Sequence, residues 1–397
     1  MRRVLHLHPI PGNVKLNMME EKQPFQLKTM FSEPFLRKIA AEIRPVCPAF
    51  PMEEFLKTTL DEHWPALELK QRMRQISQGL RRCLPPDFRE ALAVLVQTVE
   101  TMLARDGERM TFEWCIFPDF VEAYGTDDPD ASLPALETLT RLASAEFAVR
   151  PFLLKYPERM MEQMLVWARH PSPLVRRLAS EGFRPRLPWG MGVPHLKADP
   201  SPVLPVLERL KNDPAETVRR SVANHLNDIS KDHPALALNL ATRWLGESAE
   251  VDWVVRHACR GLLKKGDSTA LALFGFEKGA SGIEISGLQA DASVQITDIL
   301  RFSFFVKNTA VRAQNIRLEY AIYFKTVSGG VSRKVFKIKE LNYGVGEGEH
   351  IERRQRFQDF TTRKHFAGQH RLEILANGEA LAEATFEVLA RPHRAGS

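Results

Sequence analysis

In the stretch 175–190, VRRLASEGFRPRLPWG, a carboxylate stands one helical turn from one arginine and close to a second, with Arg177, Glu181 and Arg184 sharing a helix face. Guanidinium groups suit phosphate or carboxylate partners, and a carboxylate held among them can stabilise positive charge or direct a water molecule. The same spacing also describes an ordinary intrahelical ion pair worth a few tenths of a kcal/mol. Glu146 and Arg150, four residues apart, admit the same two readings. Asp228 can end a helix or accept a bond from a nearby backbone amide. Other reactive patterns are missing from the sequence. It has no P-loop, no strand-linked Gly-x-Gly-x-x-Gly, no Gly-x-Ser-x-Gly elbow and no His-Glu-x-x-His. Cys47, Cys83, Cys115 and Cys259 are widely spaced and no histidines pair at ligand spacing, so neither a zinc site nor a disulfide framework is expected. The reading is of a site without metal or cofactor, in a reducing cytoplasm.

The elements that must position these groups are of two kinds. From Phe25 to about Lys278 the apolar period is helical. Phe88, Leu92, Leu95, Val99 and Met102 form one stripe between a Pro-Pro-Asp start and a stop at Gly107. A Val-Arg pair then recurs after a Pro or Asp break, at Val175, Val218 and Val255, about 40 residues apart as in HEAT-type helical pairs. In the middle copy Val218, Val222, Leu226 and Ile229 form the buried stripe, and Arg220, Asn224 and Asn227 lie on another face. After the 279–282 break the period changes to two. QNIRLEYAIYFK (314–325) alternates, RFSFFVKN, RKVFKIKE, HRLEILANG and ATFEVLA are further strands, and Asn377-Gly378 is a tight turn. About seven short strands without the antibody Cys-Trp-Cys core indicate an immunoglobulin-like sandwich in architecture alone.

The chain is therefore expected to be multidomain: an all-α HEAT-like solenoid over 25–280 and an all-β sandwich over 281–393, with a loose tail at 1–24. With 55 Lys and Arg against 49 Asp and Glu, net charge +6, it has a mild excess of base, distributed in pairs such as Arg176-Arg177, Arg219-Arg220 and Arg333-Lys334 rather than in one tail. That distribution suits a polyanion, although each pair alone also describes a solvated surface. No apolar run is long enough to span a bilayer.

The strings ASAEFAVRPFL (143–153), VRRLASEGFRPRLPWG (175–190) and VRRSVANHLNDISKDHP (218–234), in this order and followed by a sandwich, resemble the AlkC family of bacterial DNA alkylation-repair glycosylases. The resemblance covers nearly the whole chain after the tail, and the sandwich separates it from the HEAT-only AlkD relatives. It implies hydrolysis of the N-glycosidic bond of cationic alkylated bases, of the 3-methyladenine and 3-methylcytosine class, by a monofunctional glycosylase in base excision repair. It also implies attack without base flipping, by a monomer on double-stranded DNA. Residue by residue it assigns Glu146, Glu181 and Asp228 as the active-site acids. Trp189 is expected to stack on the deoxyribose or the lesion. Arg177, Arg184, Arg186 and Arg220 are expected to meet phosphates, and the 325–334 hairpin, with Lys325, Arg333 and Lys334, to contact a DNA groove. The rival readings are a non-enzymatic HEAT scaffold, with an apolar groove and no acid cluster, and a damage-binding protein, which keeps the arginines and needs no acids. Convergence of the three acids in one place separates the enzyme from both.

Overall fold

The structure is a computed structural model that describes residues 26–279, 281–359 and 364–390, so the expected tail at 1–24 lies outside the described residues. Among the described residues sixteen α-helices precede eight β-strands, and each region has its own apolar core. The Phe88–Asp106 helix shows how closely local chemistry sets the elements. The Asp87 side chain accepts the Glu90 amide at its start, and Gly107 with φ 73° ends it. None of the described helices is long and apolar enough to cross a membrane.

Six helices carry the parts of the molecule used below: α1 (Leu69–Cys83), α2 (Ile116–Tyr124), α3 (Val149–Lys155), α4 (Pro173–Glu181), α5 (Glu216–Asp232) and α6 (Ala249–Ala258). α5 packs between α4 and α6. Val175, Val218 and Val255 are fully buried at equivalent points of the three, each such side chain stabilising the stack by roughly 1.5–3 kcal/mol. In Arg176-Arg177 and Arg219-Arg220 the first arginine is structural. Arg176 forks onto Asp213 at 2.6 and 2.9 Å and reaches the carbonyls of His170 and Pro171, and Arg219 holds the carbonyls of Asp213 and Pro214 in the next repeat. Part of the basic character thus belongs to the inter-helix loops.

Arg184, expected on the same helix face as Glu181, lies past the end of α4 and the two turn residues that follow it. The helix ends at Gly182, where a Cβ would come within 2.6 Å of the Val149 side chain, so α3 crosses too closely for any other residue. Beyond this point the chain runs irregularly to Val193.

The strands are β1 (Ile283–Ala290), β2 (Ser293–Gln295), β3 (Ile299–Asn308), β4 (Gln314–Lys325), β5 (Val331–Tyr343), β6 (Gly348–Arg356), β7 (Gly368–Ala376) and β8 (Glu379–Leu389). A three-stranded sheet, β1-β3-β6, faces a five-stranded one, β2-β8-β7-β4-β5. Asn377 and Gly378, at φ 49° and 82°, form the two-residue turn between β7 and β8. Contrary to simple alternation, β4 is buried on both faces from Ile316 to Ile322. Its outer face turns toward the helical region: Arg317 pairs with Glu319 and Glu340, and Arg256 of α6 reaches Glu340 at 2.7 Å. Asn377 Nδ2 donates to the Glu277 carbonyl at 2.9 Å, and a Cβ on Gly378 would lie 2.5 Å from the Gly266 Cα.

The pairing register of the hairpin divides its cations. Arg333 stands opposite Tyr323 and Lys334 opposite the core residue Ile322, so the strand period of two sends Arg333 and Lys334 to opposite faces of the sheet.

Candidate active site

The acids come from three separate places. Glu146 precedes α3, Glu181 ends α4 and Asp228 lies late in α5. The solenoid brings them into one line, interleaved with cations. Arg177 Nη2 donates to Glu146 Oε2 at 2.9 Å and lies 3.8 Å from Glu181 Oε1. Arg184 Nη1 donates to Glu181 Oε1 at 2.6 Å and its Nε to Asp228 Oδ2 at 2.8 Å. Lys231 closes the line on Asp228 Oδ1 at 2.8 Å. Burial opposes the charge of Arg184, but Glu181 and Asp228 outweigh it and hold its pKa above the usual arginine value.

Position in this line separates the acids. Asp228 has 1% of its side chain exposed and both oxygens taken by cations. Glu181, at 8%, gives Oε1 to Arg184 and Oε2 to Ser221 Oγ at 2.6 Å. Glu146, at 16%, receives Arg177 and Ser144 Oγ on Oε2 alone. Among the described residues nothing bonds its Oε1. Of the three, Glu146 is the acid with an oxygen to offer.

Arg177 and Arg184, expected to reach phosphates, are mostly buried and have their guanidinium groups committed to carboxylates. The alternative reading of Glu146 and Arg150 as a simple ion pair is not met, because Arg150 is buried and donates to backbone carbonyls. Arg186 forks onto Asp232 at 2.9 and 2.7 Å at the surface. Arg220 is exposed, pairs with Glu216, and lies 5.5 Å from the ring centre of Trp253. Trp189 is 57% exposed, with a positive φ of 61°. Lys325 is half-buried, and Arg333 lies 3.5 Å from Glu373 with its guanidinium over Tyr323.

Three supporting residues, Ser144, Ser221 and Lys231, were not legible as site residues beforehand. For Ser221 a signal existed, since it occupies the repeat slot that holds buried Leu178 in the preceding copy. A hydroxyl in an apolar slot indicates a buried partner. Trp253, stacked on His257 at 5.1 Å, is a further exposed aromatic beside Arg220.

Behind the acids His225 is fully buried, and its Nδ1 donates to the Ser180 carbonyl at 3.0 Å. Burial and then the charge of Arg184 push its pKa down to about 3. Between pH 6.5 and 3 the unfolded chain carries a proton that the folded one refuses, so stability is lost as pH falls, by up to about 1.4 kcal/mol per pH unit. Half-buried His257, lowered to about 4 by burial and then Arg260, acts in the same direction more weakly. Urea unfolding is expected to show a loss of about 2 kcal/mol between pH 7 and 5, and His225→Gln to remove most of that slope. An equal slope in the variant would assign the loss elsewhere.

Residues 284–390 match the family described as the uncharacterised protein YhaZ, C-terminal Ig-like domain. Over 363 residues the chain is 44% identical to the uncharacterised protein YhaZ of Bacillus subtilis, covering 91% of this chain and 99% of that protein. The structure is similar to that of the alkylpurine DNA glycosylase AlkC of Pseudomonas fluorescens bound to DNA containing an abasic site analog. The TM-score is 0.85 and the identity 38%, over 92% of this chain and 100% of that one.

Proposed function

The chain belongs to the AlkC family, and from that premise we propose that it is a monofunctional DNA glycosylase. It hydrolyses the N-glycosidic bond of cationic alkylated bases, of the 3-methyladenine and 3-methylcytosine class, in double-stranded DNA. The observation that carries this reading is the line of three acids from separate repeats, with one oxygen of Glu146 left uncommitted by the described residues. A scaffold can use such a line for stability but needs no open acceptor in it, and a damage-binding protein needs only the cations.

A base methylated on a ring nitrogen carries positive charge and leaves without protonation, so no general acid is required. As the bond breaks, the sugar takes on oxocarbenium character. Glu146 supplies the negative charge that stabilises it and, through Oε1, accepts a proton from the attacking water. Arg177 and Ser144 fix that carboxylate. Glu181, Arg184 and Asp228 hold the line behind it. Trp189 stacks on the deoxyribose or the lesion. Arg186, Arg220, Lys325, Arg333 and Lys334 meet the DNA backbone in this reading, the hairpin residues from two faces of the sheet. The reaction proceeds in the cytoplasm, on a base that stays in the duplex, with a single chain and the domain division at about residue 280.

The test is a duplex oligonucleotide carrying one 3-methylcytosine or 3-methyladenine, with free base measured by chromatography and abasic sites by alkaline cleavage. Stoichiometric release of base with an abasic site is expected. Tight binding without release would assign damage recognition instead. DNA affinity is expected to fall steeply from 50 to 200 mM salt and to depend little on sequence, because the proposed contacts are to phosphates.

A further inference from the structure

We propose that Arg150 and Lys70 are positioning residues that tie the backbone of the 182–191 segment and thereby fix Trp189 for the reaction. The proposal rests on the reading above, in which Trp189 meets the DNA.

The segment has no regular structure to hold it, and its anchors come from other repeats. Arg150, in the first turn of α3, donates through Nη1 to the carbonyls of Gly182 at 2.9 Å and Arg184 at 3.0 Å, and through Nε to the carbonyl of Met191. One guanidinium therefore closes both ends of the segment into a bracket. Lys70, in the first turn of α1, donates to the carbonyl of Trp189 and sits 4.5 Å from the ring centre of Phe147, the neighbour of Glu146. Lys70 thus joins the aromatic loop to the segment that carries the free acid.

Two features are hard to account for as simple packing. Arg150 is 0% exposed, and its side-chain bonds all go to backbone carbonyls, with no carboxylate among them. A buried charge with no carboxylate in contact opposes folding, and burial, followed by the charge of Arg184, lowers its pKa to about 10 against the more distant pull of Glu146 and Asp228, so it remains charged at neutral pH. An apolar side chain would fill the space without that penalty but could not bind three carbonyls. Trp189, in turn, holds a positive φ while the residue is 57% exposed. That conformation is unfavourable for a bulky residue, and its own side chain buries too little to impose it. The carbonyl ties supply the constraint. An aromatic group preset for its target avoids the ordering loss that a free loop would meet in the complex.

Lys70→Ala is the main test, since Lys70 is exposed and its loss spares the core. Single-turnover release from the 3-methylcytosine duplex is expected to slow about 5- to 10-fold, with the DNA Kd and its salt slope within twofold of the parent. Lys70→Arg, which keeps a donor in reach, is expected to recover most of the rate. Acrylamide quenching of the Trp189 emission, isolated by subtracting the Trp189→Phe counterpart of each protein, is expected to rise in Lys70→Ala without DNA. Arg150→Lys, which keeps charge and loses the fork, should show both effects more strongly wherever it folds. A weaker Kd and shallower salt slope at unchanged rate would make Lys70 a phosphate contact and overturn the proposal, as would unchanged rate and unchanged quenching. The quenching arm reads the ties without reference to catalysis. If the parent protein releases no base, the functional reading fails while the quenching still decides whether the loop is held.

Discussion

Glu146→Gln is expected to lower base release by about 100-fold or more while leaving the DNA Kd within a factor of a few. The substitution keeps the size of the side chain and its acceptor toward Arg177 and Ser144. It removes the negative charge and the proton acceptor at Oε1, which the described residues leave uncommitted. Because the lost interaction is made in the transition state, the deficit falls on the rate and not on binding. Glu181→Gln and Asp228→Asn are expected to behave differently. Their oxygens are already committed to Arg184, Ser221 and Lys231, so substitution there reduces stability along with rate. Single-turnover release for the three variants, measured beside their unfolding midpoints, separates the cases. Full activity of Glu146→Gln would remove the mechanism proposed here.

Arg184→Met is expected to destabilise the helical region by about 3–5 kcal/mol. The methionine is close to the stem of arginine in size, so the effect is not chiefly a cavity. It arises because the buried carboxylates of Glu181 and Asp228 would lose the cation between them. Lys231 still reaches Asp228 Oδ1, and Ser221 still donates to Glu181 Oε2, but neither replaces the shared charge. The combined variant Arg184→Met, Glu181→Gln, Asp228→Asn is expected to recover a large part of the loss, since neutral amides in the same place need no cation. Urea unfolding at pH 7 measures both. A loss below about 1 kcal/mol for Arg184→Met would show that the line of charges contributes little to the fold.

The two predictions depend on a distinction that sequence spacing does not contain. Arg177, Glu181 and Arg184 looked like one polar helix face because helical spacing was carried through Gly182. The chain leaves the helix there, at a point where Val149 of another repeat packs so closely that glycine is required, and Arg184 turns back onto Asp228.

The elements were legible from local chemistry. Asp87 and Gly107 bound the Phe88–Asp106 helix, and Asn377-Gly378 makes the β7–β8 turn, because capping and positive φ are properties of a few adjacent residues. The Val175, Val218 and Val255 slots are buried because a periodic apolar stripe has only one face to hide. What the sequence determined by itself was therefore the order of helices and strands, the repeat, and which acids and arginines to watch. What only the tertiary structure decided was their placement, burial and partners. Stacking α3, α4 and α5 brought Glu146, Glu181 and Asp228 together across 82 residues of chain, and depth within the stack then covered Asp228 and left an oxygen of Glu146 uncommitted. The hairpin cations were divided in the same way, Arg333 to one face and Lys334 to the other by the pleat. Exposure and pairing depend on which segments meet, and residues distant in sequence set that.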